Sequence, residues 1–311
     1  MDQASLRALL DRRTAVLRQA QPALSAALDL QARFVRAALD APRPPMAPPL
    51  MLPAGPAAAR LGAGVPLLHD QPITLDVHFA ASLFSRLLNA LQDQATDPEL
   101  TPRAQSLVDA VTAGALDPEQ LFSEAFVQHH AHVADLAHGA GCDAELLVTL
   151  AIQAVVPQLR AYAEQLGPLI QRLEREAPWQ RGYCPVCGAW PLLGEVRAEG
   201  HRYLRCAACG AAWPWRSGPC ITCDNQEAQA LCTLRLEHER RFWITACQRC
   251  MAYVKVGNAF DPSPAELLAL DDLGSMQLDV LALERGYHRP SGTGFPIELA
   301  VPDFEWLSEL V

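Results

Sequence analysis

The sequence predicts a multidomain α and β protein: an α-helical domain over residues 1–178, a tandem four-cysteine metal module over 179–256, and a C-terminal helix and tail over 257–311 packed on the rest. Three observations carry that expectation. Apolar residues recur at helical spacing through the first half, with capping residues at the breaks. At Pro178 the composition changes abruptly, and 179–256 holds five of the six tryptophans and nine of the ten cysteines. After Asp261-Pro262-Ser263-Pro264 the helical pattern returns.

Leu6, Leu9, Leu10, Val16, Leu17, Leu24 and Leu28 line one face of a helix over 1 to about 40, which Gln21-Pro22 should kink or divide. The proline-rich stretch Ala41–Pro56 lacks donors and has fixed φ angles, so it reads as an extended strap. Met46, Leu50, Met51 and Leu52 suggest that the strap is packed down. Between Asp76 and Leu173 helices alternate with short breaks. Among the breaks are Asp97-Pro98, Asp117-Pro118 and Gly139-Ala-Gly141; Asp97 offers an N-cap with Pro98 at the first helical position, and Gly139 offers a C-terminal stop. The most apolar run, Leu146–Val156, contains a Thr and a Gln and ends at Pro157, short of the ~20 residues that a membrane span needs.

The second part is built around four Cys-x-x-Cys pairs: Cys184/Cys187, Cys206/Cys209, Cys220/Cys223 and Cys247/Cys250. A two-residue gap lets both sulfurs of a pair converge on one ion, and two such turns complete a tetrahedral shell suited to zinc or mononuclear iron. The order turn, hairpin, turn occurs twice, with 18 residues between the pairs in the first instance and 23 in the second. Sequential pairing follows. One site takes Cys184, Cys187, Cys206 and Cys209, and the other takes Cys220, Cys223, Cys247 and Cys250, giving two metal ions in a zinc-ribbon-type module. Tyr203–Cys206 and Trp243–Cys247 read as strands entering the later turns. Gly188 and Gly210 follow their pairs where positive φ is wanted, whereas Asp224 and Met251 stand there in the second site, which predicts either more strain or a last turn of different geometry.

In a small module the metals can act as cross-links that offset a limited core, or they can take a redox or sulfur-transfer part. Closed four-thiolate shells leave no position for water, which excludes hydrolytic catalysis as the main reading. A thioredoxin-type redox turn at Cys184-Pro185-Val186-Cys187 is disfavoured by three companion pairs. No chaperone-type Gly-x-Gly continuation follows the pairs.

A formal net charge of −10 argues against broad binding to nucleic acid or anionic membranes. Within 181–256, ten Arg or Lys face six Asp or Glu, but two divalent ions each held by four thiolates would cancel that local excess. Arg202, Arg240 and Arg241 could still form a local cluster, which keeps a nucleic-acid-binding zinc-ribbon protein as the runner-up reading, with a rubredoxin-type electron carrier as the third. Asp11, Arg12, Arg13 and Arg18 interrupt the N-terminal apolar residues, so no export h-region is read there, and a reduced cytoplasmic setting is expected for the cysteines. His129, His130, His132 and His138 with Asp135 share a predicted helix and read as ordinary surface or core residues. Cys142 and Cys232 lack partners in the pattern. Asp271, Asp272, Asp279 and Glu284 read as the solvated face of the last helix, with a docking surface as the alternative.

Four segments together resemble the formate dehydrogenase accessory protein FdhE family: Tyr183-Cys-Pro-Val-Cys-Gly188, Arg202-Tyr-Leu-Arg-Cys-Ala-Ala-Cys209, Cys220-Ile-Thr-Cys223 and Cys247-Gln-Arg-Cys-Met-Ala-Tyr-Val-Lys255. Asp271-Asp-Leu273, Leu278-Asp279 and Glu284-Arg-Gly-Tyr287 resemble that family's C-terminal stretch. The resemblance covers roughly 180–290 and departs from the family at Met251, where glycine is usual, and over 224–246. It implies a cytoplasmic protein with rubredoxin-like iron-binding knuckles that acts on the catalytic subunit of formate dehydrogenase and is not itself a dehydrogenase. Iron follows from the resemblance, and the donor set alone also admits zinc.

Overall fold

The computed structural model describes residues 1–41, 49–93, 98–216 and 218–298. Asp2 caps the first helix by accepting the Ser5 N–H at 2.7 Å, and α1 (Gln3–Ala20) runs to the break before Pro22. Pro22 lacks the N–H that a continuing helix would need, so the chain makes one tight turn and restarts as α2 (Ser25–Leu39). Six further helices follow: α3 (Ala54–Ala63), α4 (Val77–Gln92), α5 (Leu100–Thr112), α6 (Pro118–Phe126), α7 (His130–Ala140) and α8 (Ala144–Leu173). Asp76, Asp117 and Asp143 each cap their helix through a carboxylate that accepts a backbone N–H.

Several local expectations are corrected. The proline-rich stretch is not extended to its end, because Pro56 lies in the first turn of α3, where a missing N–H costs nothing. Leu50 and Leu52 pack against the bundle, but Met51 is 89% exposed; Met46 lies outside the described residues. Gly139 sits inside α7, and the stop is Gly141 at φ 67°, with Cys142 N–H donating to Ala137 O at 3.0 Å in the pattern that closes a helix. Asp97 lies outside the described residues, and Pro98 stands two residues ahead of α5.

The helix continues past Pro157, where the most apolar run ends. Pro157 and Pro168 both lie within the 30-residue α8. Burial of twelve side chains, Leu147, Leu150 and Tyr162 among them, outweighs the ~3 kcal/mol or more that an interior proline costs. By length and composition α8 is, among the described residues, the helix that could cross a bilayer. Here half of its most apolar stretch is buried among α4, α6 and α7 at the centre of the bundle.

The second half forms one six-stranded sheet from β1 (Pro191–Val196), β2 (Arg202–Cys206), β3 (Ala212–Pro214), β4 (Leu231–Leu234), β5 (Phe242–Cys247) and β6 (Tyr253–Asn258). The order is β3-β2-β1-β6-β5-β4. Each half is an antiparallel meander, and the halves join where β1 pairs in parallel with β6, Leu193 opposite Lys255 and Val196 opposite Asn258. Corresponding strands of the two halves therefore point the same way, so the second meander repeats the first by a shift across the sheet.

The C-terminal helical pattern, expected as one run, is broken into α9 (Leu268–Leu273) and α10 (Met276–Glu284). A Cβ on Gly274 would meet Leu17 Cδ2 at 2.6 Å, so this corner lets α1 approach closely. Leu6, Leu10, Leu28 and Val35 of α1 and α2 form a core with Leu267 and Leu270. A separate cluster joins β4–β6 to α10 through Ile244, Tyr253, Leu278 and Ala282.

Candidate metal centres

All four knuckles share one backbone device. The N–H of the first cysteine donates to the carbonyl five residues on: Cys184 to Ala189, Cys206 to Ala211, Cys220 to Asn225 and Cys247 to Ala252, at 2.8–2.9 Å. Closing that loop requires a left-handed residue just before the acceptor. Gly188 (φ 74°) and Gly210 (φ 71°) supply it without strain, and Asp224 (φ 54°) and Met251 (φ 57°) adopt it as well. The last turn therefore has the geometry of the others, and the expected difference resides in Met251 holding a conformation that L side chains rarely adopt.

The loops aim donors at sulfur. Val186 N–H reaches Cys184 Sγ at 3.4 Å, Ala208 and Cys209 N–H reach Cys206 Sγ at 3.3 Å, and Thr222 N–H reaches Cys220 Sγ at 3.4 Å. The strands then bring the turns together in sequential pairs. Cys184, Cys187, Cys206 and Cys209 form one quartet, Cys220, Cys223, Cys247 and Cys250 the other, each with its sulfurs within 4.8 Å of one another.

Sulfur separations are 3.6 Å for Cys184–Cys209, 3.4 Å for Cys187–Cys206, 3.7 Å for Cys220–Cys250 and 3.9 Å for Cys223–Cys247. Disulfides, at ~2.05 Å, are ruled out. A tetrahedral ion with ~2.3 Å bonds to sulfur sets its ligands ~3.8 Å apart, so both quartets have the dimensions of a four-thiolate metal shell. Electrostatics agree. Burial pushes the Cys184 and Cys209 thiols well up, whereas at Cys206 burial is outweighed by hydrogen bonds from the other three cysteines, which hold it well down. Four sulfurs sealed from water can all ionise only around a cation.

The two sites differ in their surroundings. The first quartet is wholly buried and belongs to the core of the helical bundle. Leu67 and Leu68 N–H donate to Pro185 O and Val186 O at 2.9 and 3.0 Å, Gln128 Nε2 donates to Cys187 O at 3.2 Å, and Tyr183 Oη donates to Gly64 O at 2.7 Å. From the other side Gly294 and Phe295 N–H reach Gly188 O. In the second quartet Cys223 is exposed and Cys250 half-buried. Gly182 lets the two knuckle pairs approach, since a Cβ there would stand 1.8 Å from Ile221 O.

The acidic residues of the C-terminal helices are not a solvated face, and this corrects the sequence reading of Asp271, Asp272 and Asp279. Lys255 of β6, fully buried, places Nζ 2.8 Å from Asp272 and 2.6 Å from Asp279. Arg289 reaches the same two carboxylates at 2.6 Å, and Tyr253 Oη donates to Asp279 at 2.6 Å. Asp271, 2% exposed, receives Arg13 of α1 at 2.8 Å and the Ser263 hydroxyl. Glu284 is exposed as expected. Arg241 turns toward Asp271 and stacks on Phe242.

Of the remaining candidates, Cys142 is buried and Cys232 sets its sulfur 3.3 Å from Tyr287 Oη. His129 and His132 meet Glu124 of the neighbouring helix, a carboxylate that the sequence pattern did not connect to them. His130 and His138 are exposed.

A helical bundle whose core encloses the first of two four-cysteine knuckle sites, carried on one continuous sheet, defines a protein with a tandem metal-knuckle module. The family model for the FdhE C-terminal domain matches residues 219–295. Protein FdhE of Escherichia coli O127:H6 is 32% identical over 137 residues, 43% of this chain and 44% of that protein. The FdhE homolog of Edwardsiella ictaluri is 29% identical over 253 residues, 78% of this chain and 74% of that protein. For the first of these relatives the match thus spans under half of the relative's length. The crystal structure of the FdhE protein from Pseudomonas aeruginosa superposes with a TM-score of 0.56 at 25% identity, covering 95% of this chain and 96% of that one. The chain is thus similar to FdhE proteins, in sequence over the cysteine-rich module and in fold over nearly its whole length.

Proposed function

We propose that this chain is a cytoplasmic maturation factor for formate dehydrogenase that binds the enzyme's catalytic subunit, is not itself an enzyme, and carries one iron or zinc ion in each cysteine quartet. The observation that carries this reading is the pair of tetrahedral-sized sulfur quartets within an FdhE-type fold. Four sulfurs around each centre leave no position for substrate or water, which favours an accessory role over hydrolytic chemistry. In this division of labour residues 1–178 are the helical domain, 179–256 the metal module and 257–311 the C-terminal helix and tail, of which 257–298 fasten one to the other and 299–311 lie outside the described residues. The net charge of −10 supports a protein client over nucleic acid, and the burial of α8 supports a role without membrane insertion.

Deleting the gene in its native host tests the proposal. Formate dehydrogenase activity is lost while its subunits are still synthesised; unchanged activity overturns the reading. The exposed Cys223 also favours a second possibility, an electron carrier of rubredoxin type, since an ion near the surface can exchange electrons with a partner. That version requires a reversible visible absorption in the purified native protein, and a colourless zinc protein removes it.

A further inference from the structure

The sharp corner between α6 and α7 gathers three metal-ligating side chains that neither quartet uses. Gln128 makes the corner in the left-handed region (φ 65°), and His129 N–H donates back to Glu124 O at 2.9 Å, folding the start of α7 over the end of α6. Glu124 Oε2 then lies 2.9 Å from His129 Nδ1 and 3.1 Å from His132 Nδ1. The imidazole rings meet edge to face with centroids 5.1 Å apart. All three donor atoms fall within 4.8 Å of one another.

Ligands on a tetrahedral ion with bonds of ~2.0–2.1 Å to nitrogen and oxygen stand ~3.3 Å apart, so both carboxylate-to-imidazole separations are close to those of groups sharing one cation. Two imidazoles with one carboxylate suit a borderline transition ion, whereas Ca²⁺ and Mg²⁺ prefer shells of oxygen. The His129 and His132 side chains are 44% and 63% exposed, which leaves an approach path and room for water ligands. We propose that Glu124, His129 and His132 form a third metal site, open and exchangeable, that takes a divalent transition ion such as Zn²⁺. The site has a structural reach: the inner side of the same corner is Gln128, buried, with its amide on the Cys187 carbonyl of the first knuckle. An ion outside would stiffen the corner that bears on that knuckle.

The test is Zn²⁺ titration, against a chromophoric competitor, of the full chain with both cysteine quartets already loaded. One further equivalent binds, and His132→Ala or Glu124→Gln weakens it by at least the ~10–100-fold that loss of even an outer-shell partner brings. His138→Ala, away from the cluster, leaves it unchanged. On the wild-type chain, where folding is not in question, the same equivalent shifts the Nδ1 resonances of His129 and His132 in nitrogen NMR. No additional equivalent, an equivalent that survives the triple variant E124Q/H129A/H132A, or unmoved Nδ1 resonances would overturn the proposal and leave two histidines hydrogen-bonded to a carboxylate.

Discussion

Lys255 and Asp279 lie 24 positions apart in sequence and meet in the interior, the lysine Nζ 2.6 Å from Asp279 Oδ2 with none of the lysine exposed. The contact joins the strand that follows the last knuckle to α10, so the second metal site and the C-terminal helices are held as one unit. A buried ammonium persists there because Asp272, Asp279 and the Asp272 carbonyl surround it, and Arg289 balances the second negative charge.

Replacing Asp279 by Ala leaves Lys255 and Arg289 with one carboxylate between them. The expected loss is about 3 kcal/mol, the usual cost of removing one partner of a buried charge set. Urea unfolding of the metal-loaded chain measures it. An effect within ~0.5 kcal/mol would mean that the network contributes only at the level of an exposed surface pair.

Acid should act through the same residue. Burial alone would raise the Asp279 carboxyl, but the positive charges of Arg289 and Lys255 prevail and hold it below the ordinary carboxylate value. A carboxylate depressed in the folded state stabilises the fold above its unfolded pKa, ~3.9, and that stability disappears as pH falls through the lower folded value. The difference in unfolding midpoint between wild type and Asp279→Asn is therefore constant near neutrality and shrinks below pH ~4. Taking the difference cancels the acid sensitivity common to both metal sites.

Met251 predicts a signature in the other knuckle arm. At φ 57° an alanine is strained by about 1 kcal/mol relative to glycine, so Met251→Gly is expected to be more stable than Met251→Ala by that amount, a reversal of the order found in ordinary secondary structure. Thermal or urea midpoints of the two variants settle the sign.

The two thiolate-bound ions should leave in two phases. A thiol reagent or chelator at modest concentration releases one equivalent quickly, from the quartet containing the exposed Cys223, and a second only on the time scale of unfolding, because the first quartet lies within the bundle core. Cys223→Ser removes the fast phase alone. Two equal rates would contradict the burial difference.

How much of this was legible in the sequence follows from the range of the interactions involved. The knuckles were readable because their chemistry is local: a pair of cysteines two residues apart, a loop closed five residues on, a strand entering each later turn. The breaks at Asp117-Pro118 and at Pro22 were readable for the same reason. Asp271, Asp272 and Asp279 were misread because acidic residues on an amphipathic helix look alike whether they face water or a buried cation, and the deciding partners are Arg13, Lys255 and Arg289. Pro157 closes the most apolar run in the sequence, yet the helix continues through it, because the local penalty is visible in sequence while the burial that overrides it is not. Glu124 was missed as the companion of His129 and His132 because a sharp corner, not helical spacing, brings it to them.

The most direct measurement is metal content by elemental analysis on protein purified from its native host, read alongside serine variants of each quartet. The account predicts two thiolate-bound ions per chain, one lost in C184S/C187S and the other in C220S/C223S. Metal-free native protein, or both ions retained when Cys184 and Cys187 are replaced, would contradict it.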